Sequence, residues 1–136
     1  MLITAKQKFV RTSPRKLRLM ADGVRSFKSP QLAIVYLEQV PQKASGVLSK
    51  VIKTAIANAT NNLKFEGDSL KLHEIQIGEG PTYKRGQPVS RGRFHKIEKK
   101  TSHITVVLEA VPQEARKSQI QNSKSETNKK TQKENE

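Results

Sequence analysis

The chain has 136 residues, 34% of them hydrophobic and 4% aromatic, which leaves room for one domain with a modest aliphatic core and an extension. Its 26 Lys/Arg against 12 Asp/Glu give a net charge of +14, more than solubility requires, and a polyanionic partner would relieve that self-repulsion. The absence of cysteine excludes a disulfide scaffold and cysteine-ligated zinc or iron–sulfur sites.

The start, MLITAKQKFVRTSPRK, has no long apolar stretch, and no run approaches the roughly 18–20 apolar residues of a spanning helix. The expectation is a soluble, cytoplasmic chain without membrane contact. Leu2 to Val10 alternates Ile3, Ala5, Gln7 and Phe9 against Thr4, Lys6, Lys8 and Val10, as a strand with one partly apolar face would. Ser13-Pro14 then supplies an N-cap and a first-turn proline. In the helix that follows, Leu17, Met20, Ala21 and Val24 share a face, and Arg15, Arg18, Asp22 and Arg25 share another. That second face is either solvated, with an Arg18–Asp22 pair, or turned to phosphate. Eight basic residues against one acid over residues 1–28 favour phosphate.

Ser29-Pro30 repeats the start signal, and a second helix to about Val40 points Leu32, Ala33, Tyr36, Leu37 and Val40 inward. The third is the most periodic, with Ala44, Val47, Leu48, Val51, Ile52, Ala55, Ile56, Ala59 and Leu63 as its core stripe. About 20 residues at ~1.5 Å rise let it span a small domain. Lys50, Thr54, Asn58 and Asn61 form its other side, read as a solvated face with RNA contact as the alternative. Beyond it, Leu70 and Leu72 are in one phase and Ile75 and Ile77 in the other. A bulge near His73–Glu74, or burial on both faces, explains the change. Ile104, Val106 and Leu108 give the clearest strand alternation.

Between those strands lies TYKRGQPVSRGRFHKIEKK, residues 82–100, with seven Lys/Arg against the single acid Glu98. The flanks make it the tip of a long hairpin, about 15 residues per arm and on the order of 50 Å in reach at ~3.3 Å per residue. A cationic, apolar-poor tip cannot bury itself in its own domain. Residues 111–136 carry six basic and four acidic residues with Ile120 as the last large apolar one, a composition expected to be disordered.

No catalytic constellation is visible. His73, His95 and His103 have neither metal-ligand spacing nor a carboxylate array nearby, and Gly78-Glu79-Gly80-Pro81 is turn chemistry without a phosphate-loop context. No enzyme activity, metal or cofactor is expected. Spread cations with few aromatics, Tyr83 and Phe94 alone in the hairpin, argue against a base-stacking reader of single strands and suit recognition of folded RNA through backbone and shape; the two basic stretches, 1–28 and 81–103, point to more than one RNA segment. The candidate RNA-facing residues of the first stretch are Arg11, Arg15, Lys16, Arg18 and Arg25.

SPRKLRLMADGVR, TAIANATNN, GEGPTYKRGQPVSRGR and KKTSHITVVL occur in the order and spacing of a known family. Over residues 2–110 the chain is similar to large ribosomal subunit protein twenty-two, bacterial type. The resemblance implies an α+β fold: three helices packed on a small three-stranded antiparallel sheet, ordered β-α-α-α-β-β, with one long protruding β-hairpin. It implies a globular rRNA-binding domain over 1–110, hairpin 71–108 included, and a polar tail over 111–136. The implied function is structural: binding large-subunit rRNA in several domains, supporting assembly, and lining part of the nascent-peptide exit tunnel. The implied partners are rRNA, neighbouring large-subunit proteins near the tunnel exit and the passing nascent polypeptide, with no homo-oligomer. Carried onto this sequence, Lys84 and Arg85 match the ingoing basic pair. Pro88, Val89, Ser90, Arg91, Gly92 and Arg93 match the tunnel-lining tip. Lys99, Lys100, Thr101, Ser102 and His103 match the returning arm, with Lys96 before it. Val89 stands where the family often has arginine, and Phe94-His95-Lys96 replaces a small–acidic–basic triplet. The alternative class is a free-standing RNA-binding regulator or RNA chaperone, which would be expected to carry a dimerisation surface or a DNA-reading helix.

Overall fold

A computed structural model of the chain describes residues 1–110. The disorder expected over 111–136 lies outside the described residues. The order is β1 (Leu2–Val10), α1 (Pro14–Arg25), α2 (Pro30–Gln39), α3 (Lys43–Ala57), β2 (Leu70–Pro88) and β3 (Phe94–Ala110). This is the expected α+β architecture, with β3 in the centre of an antiparallel sheet between β1 and β2.

Register explains the core. Ile3, Leu108 and Leu72 form one cross-strand row, Ala5, Val106 and Ile75 the next, and Gln7, Ile104 and Ile77 a third. Opposed residues share a face, so these rows, the exposed Gln7 apart, make an apolar floor under the helices. Leu17, Val24, Leu48, Ile52 and Ala55 close on it from above, each at 0% exposure. Among the described residues, no helix is long and apolar enough to cross a membrane.

Both Ser-Pro signals start helices, with proline in the first turn. Neither serine side chain caps; instead the Ser13 carbonyl accepts from the Lys16 and Leu17 N–H groups at 3.2 and 3.3 Å. In α2 only Ala33 and Leu37 of the expected stripe are fully buried, and Leu32 is 58% exposed. The stripe is narrow because a single i, i+4 row faces α3, and Leu32 lies on its flank. After α3 one turn of π-helix, Asn58–Asn62, keeps Ala59 buried but turns Leu63 outward. The wider turn adds a residue to the helical ring and shifts the phase of everything after it. The Arg18–Asp22 pair does not form. Asp22 pairs with Arg25 at 2.5 Å, while Arg18 reaches β2, donating to the Ile77 carbonyl at 3.3 Å and lying 3.7 Å from Glu79.

Three bulges, each setting two residues against one, shape the sheet. The phase change in β2 is a bulge at His73, which returns Leu70, Leu72, Ile75 and Ile77 to one face. A second sets Gly80 and Pro81 against Thr101. The third sets Lys8 and Phe9 against His103, and Phe9 there takes a left-handed φ of 57°. That bulge ends the alternation expected of β1: Phe9 leaves the apolar face, and Val10 enters it.

β1 ends at the Val10–Ser102 pair, and from Thr82–Lys100 to Pro88–Phe94 the hairpin is a two-stranded ribbon. That outer part spans on the order of 25 Å at about 3.4 Å per residue, roughly half of the whole hairpin. Every residue from Tyr83 to Lys100 is exposed. Shortening the hairpin between Tyr83 and Lys96 should therefore move the melting temperature by no more than a few degrees in a thermal scan. Domains of this size lose about 4–8 °C per kcal/mol, so a fall beyond ~10 °C would mean that the ribbon supports the core.

Candidate nucleic-acid interface

The two basic stretches of the sequence meet in space. A cleft of about 450 Å³ at the hairpin root is lined by Arg11, Lys43, Tyr83, Arg85, Lys99, Lys100 and Thr101. Beside it, a hollow of about 600 Å³ is lined by Arg11, Thr12, Ser13, Lys16, Leu19, Gln42, Lys43 and Ala44. Arg11 and Lys43 border both, making one cationic groove along which no described carboxylate lies. Helix dipoles reinforce the charge. α1 and α3 begin at this groove, where the positive end of a helix ordinarily attracts acids. Neither first turn contains an acid; α1 has Arg15 and Lys16 there, and α3 begins with Lys43. Cations gathered at two helix N-termini are electrostatically unfavourable in the free protein, and an anion seated among them reverses that sign.

On the ribbon, pairing sorts the side chains by face. Tyr83 opposes Lys99 and Arg85 opposes Ile97, so Tyr83, Arg85 and Lys99 share the face that meets the cleft. The Arg85 guanidinium lies 5.9 Å from the Tyr83 ring centroid. Lys84, Lys96 and Glu98 share the other face, with Lys96 and Glu98 3.5 Å apart. Phe94, the bulky departure from the family triplet, covers Gly86 across the ribbon: a Cβ on Gly86 would stand 3.1 Å from the Phe94 ring. At the tip the Val89 N–H donates to the Arg93 carbonyl at 2.8 Å, and Arg91 and Gly92 take left-handed φ values of 61° and 69°. That turn throws the Arg91 and Arg93 side chains clear of the domain, both exposed.

The joint between ribbon and sheet is built by Thr101, Ser102 and His103. Thr101 is 2% exposed and donates to the Pro81 carbonyl at 2.6 Å, filling the β2 bulge. Ser102 is 0% exposed and donates to the Thr12 carbonyl at 2.6 Å, tying β3 to the loop before α1. His103 Nδ1 accepts the Phe9 N–H at 3.0 Å, and its ring meets Phe9 edge-on at 5.0 Å, filling the β1 bulge. Ser102→Ala would leave the buried Thr12 carbonyl without its donor. The expected cost is about 1–3 kcal/mol, readable as a shift of the urea unfolding midpoint.

The motifs that form groove, ribbon and joint are those of a known family. The model of the ribosomal protein L22p/L17e family matches residues 5–109. The chain belongs to that family. It is similar to large ribosomal subunit protein uL22 of Lawsonia intracellularis, with 45% identity over 101 residues, 74% of this chain and 89% of the relative. The corresponding protein of Oleidesulfovibrio alaskensis is 47% identical over 105 residues, 77% of this chain and 94% of the relative. That of Clostridium acetobutylicum is 43% identical over 101 residues, 74% and 90%.

Within this L22p/L17e chain, the fold brings Arg11, Lys16, Arg85, Lys99 and Lys100 to the groove. Arg15 is exposed on the first turn of α1, and Lys84, Lys96, Arg91 and Arg93 are exposed along the ribbon and tip with Pro88, Val89, Ser90 and Gly92. Arg18 and Arg25 stay half-exposed but bond to β2, Arg25 donating to the Ile75 carbonyl at 3.1 Å. Ser102 is buried in the joint, and His103, half-buried, bonds to Phe9 there. Sequence reasoning missed Lys43, which sits alone in PQKAS with no charge run to mark it. Its one signal is a cation at a helix start, where the dipole favours an acid.

Proposed function

We propose that the groove and the protruding ribbon are the surface through which this chain meets large-subunit rRNA. As an L22p/L17e protein it is a structural, RNA-binding component of the large ribosomal subunit, cytoplasmic and not an enzyme. Its partners are rRNA and other ribosomal proteins. The carrying observation is the convergence of two cation-bearing helix N-termini and the hairpin root on one groove without a described carboxylate. Arg11, Lys16, Lys43, Arg85, Lys99 and Lys100 grip phosphates there, forks from the arginines and point charges from the lysines.

The ribbon carries contact away from the domain, so that Lys84, Lys96, Arg91 and Arg93 meet RNA segments distinct from those at the groove. Ser102, His103, Arg18 and Arg25 set the angle of the ribbon and of α1 to the sheet. The tip, Pro88 to Arg93, lines part of the exit tunnel and faces the nascent polypeptide; its exposure and its distance from the core support that placement. Residues 1–110, hairpin 71–108 included, act as the binding domain and support early assembly. Sucrose-gradient fractionation of cells tests the reading. The protein should sediment with large subunits, and a protein found mainly in light fractions would be a free regulator instead.

A further inference from the structure

We propose that the cleft at the hairpin root takes a single unpaired RNA nucleotide, its base against the Tyr83 ring and its phosphates among the surrounding cations. This deepens the RNA-binding reading and rests on it. Size is the first argument. The cleft, at about 450 Å³, falls within the range of roughly 300–1,000 Å³ that encloses a small organic ligand. A base-paired helix cannot enter such a space and is gripped across its outer surface instead.

Chemistry is the second. Five cations and one aromatic ring line the cleft, and none of its lining residues is acidic. A hollow for phosphate alone has no use for the ring. With the Arg85 guanidinium 5.9 Å from its centroid, Tyr83 offers a platform of the kind on which unstacked bases settle. Tyr83 is 43% exposed and its hydroxyl bonds to no described residue, so the ring is not part of the core. The other tyrosine, Tyr36, differs: it packs on Phe27 with ring centroids 5.3 Å apart and lies against Gly23.

The sequence supplies its own reporter, because it has two tyrosines and no tryptophan. In the full chain carrying Tyr36→Phe, tyrosine emission comes from Tyr83 alone. Three RNA stem-loops serve as probes: one fully paired, one with a single bulged adenosine, one with an abasic bulge at the same place. The bulged stem should bind about 5- to 150-fold tighter than the other two, the range that stacking one base supplies, and it alone should quench Tyr83. Tyr83→Ala should erase that preference, bringing the bulged stem down to the affinity of the paired and abasic stems for the same variant, and Tyr83→Phe should keep it. An abasic bulge that binds as tightly as the adenosine bulge would make the cleft a phosphate site and overturn the proposal. Equal binding of all three stems with unchanged emission would also overturn it, while leaving the RNA-binding reading intact. Failure to bind any stem at low salt would overturn both.

Discussion

Replacing Gly80 by alanine should lower the melting temperature of the protein by about 4–20 °C, the span expected for roughly 1–3 kcal/mol of overpacking in a domain of this size. A Cβ at this position would stand 2.5 Å from Thr101 Oγ1, 3.2 Å from the Thr101 carbonyl carbon and 3.3 Å from His103 Cε1. The hydroxyl cannot step aside freely, because it donates to the Pro81 carbonyl and its residue is 2% exposed. The backbone carbon cannot move without shifting β3. Relief therefore comes by opening the Gly80–Pro81 bulge, which changes the angle at which the ribbon leaves the sheet. RNA affinity should fall along with stability. Gly46→Ala in α3 is the matched control. A Cβ there would meet nothing within 4 Å, and alanine is the better helix former. Its melting temperature should hold or rise. If Gly80→Ala melted like the parent too, the bulge would not be a rigid joint.

Reversing Arg91 and Arg93 to glutamate should weaken binding to large-subunit rRNA and flatten its dependence on salt. Each lysine or arginine on a phosphate contributes about 0.7–1 to the slope of log affinity against log salt. Losing two contacts should reduce the slope by up to about 2. The result is readable as electrostatics because the tip lies on the order of 25 Å from the sheet, by its seven ribbon pairs at ~3.4 Å per residue. Melting temperature should not change. A double variant with the parental salt slope would mean that the tip arginines do not meet phosphate.

Local periodicity was the most legible part of this fold. Ile104, Val106 and Leu108 marked the central strand, Ser13-Pro14 and Ser29-Pro30 marked helix starts, and the phase change from Leu72 to Ile75 marked a bulge within one residue of its place. The other two bulges were not legible. Gly78-Glu79-Gly80-Pro81 has turn composition, yet the strand runs through it because Thr101, twenty positions on, bonds to Pro81. Phe9 fitted an alternation that His103 breaks from the far end of the chain. Arg18 and Asp22 had the spacing of a pair, but strand carbonyls and Glu79 competed for the arginine.

The candidate site divides the same way. Charge density marked the ribbon and the start of α1, because cations in excess are visible in any window of sequence. Convergence was not visible: Arg11, Lys43 and Lys99 lie far apart in the chain and line one cleft only after the sheet forms. Ser102 and His103 have side chains able to face RNA or to tie a joint, and sequence alone does not show which. Ser102 is buried and bonds to Thr12 from the central strand, whereas His103 is half-buried and bonds to Phe9 across the β1 bulge.

If groove, ribbon and tip meet rRNA with these particular residues, protein–RNA crosslinking within purified large subunits, mapped by mass spectrometry, will show it. Crosslinks should fall on Arg85 at the groove and on Arg91 and Arg93 at the tip, with the two ends attached to different rRNA segments. Crosslinks confined to α2, with none on those three arginines, would contradict it.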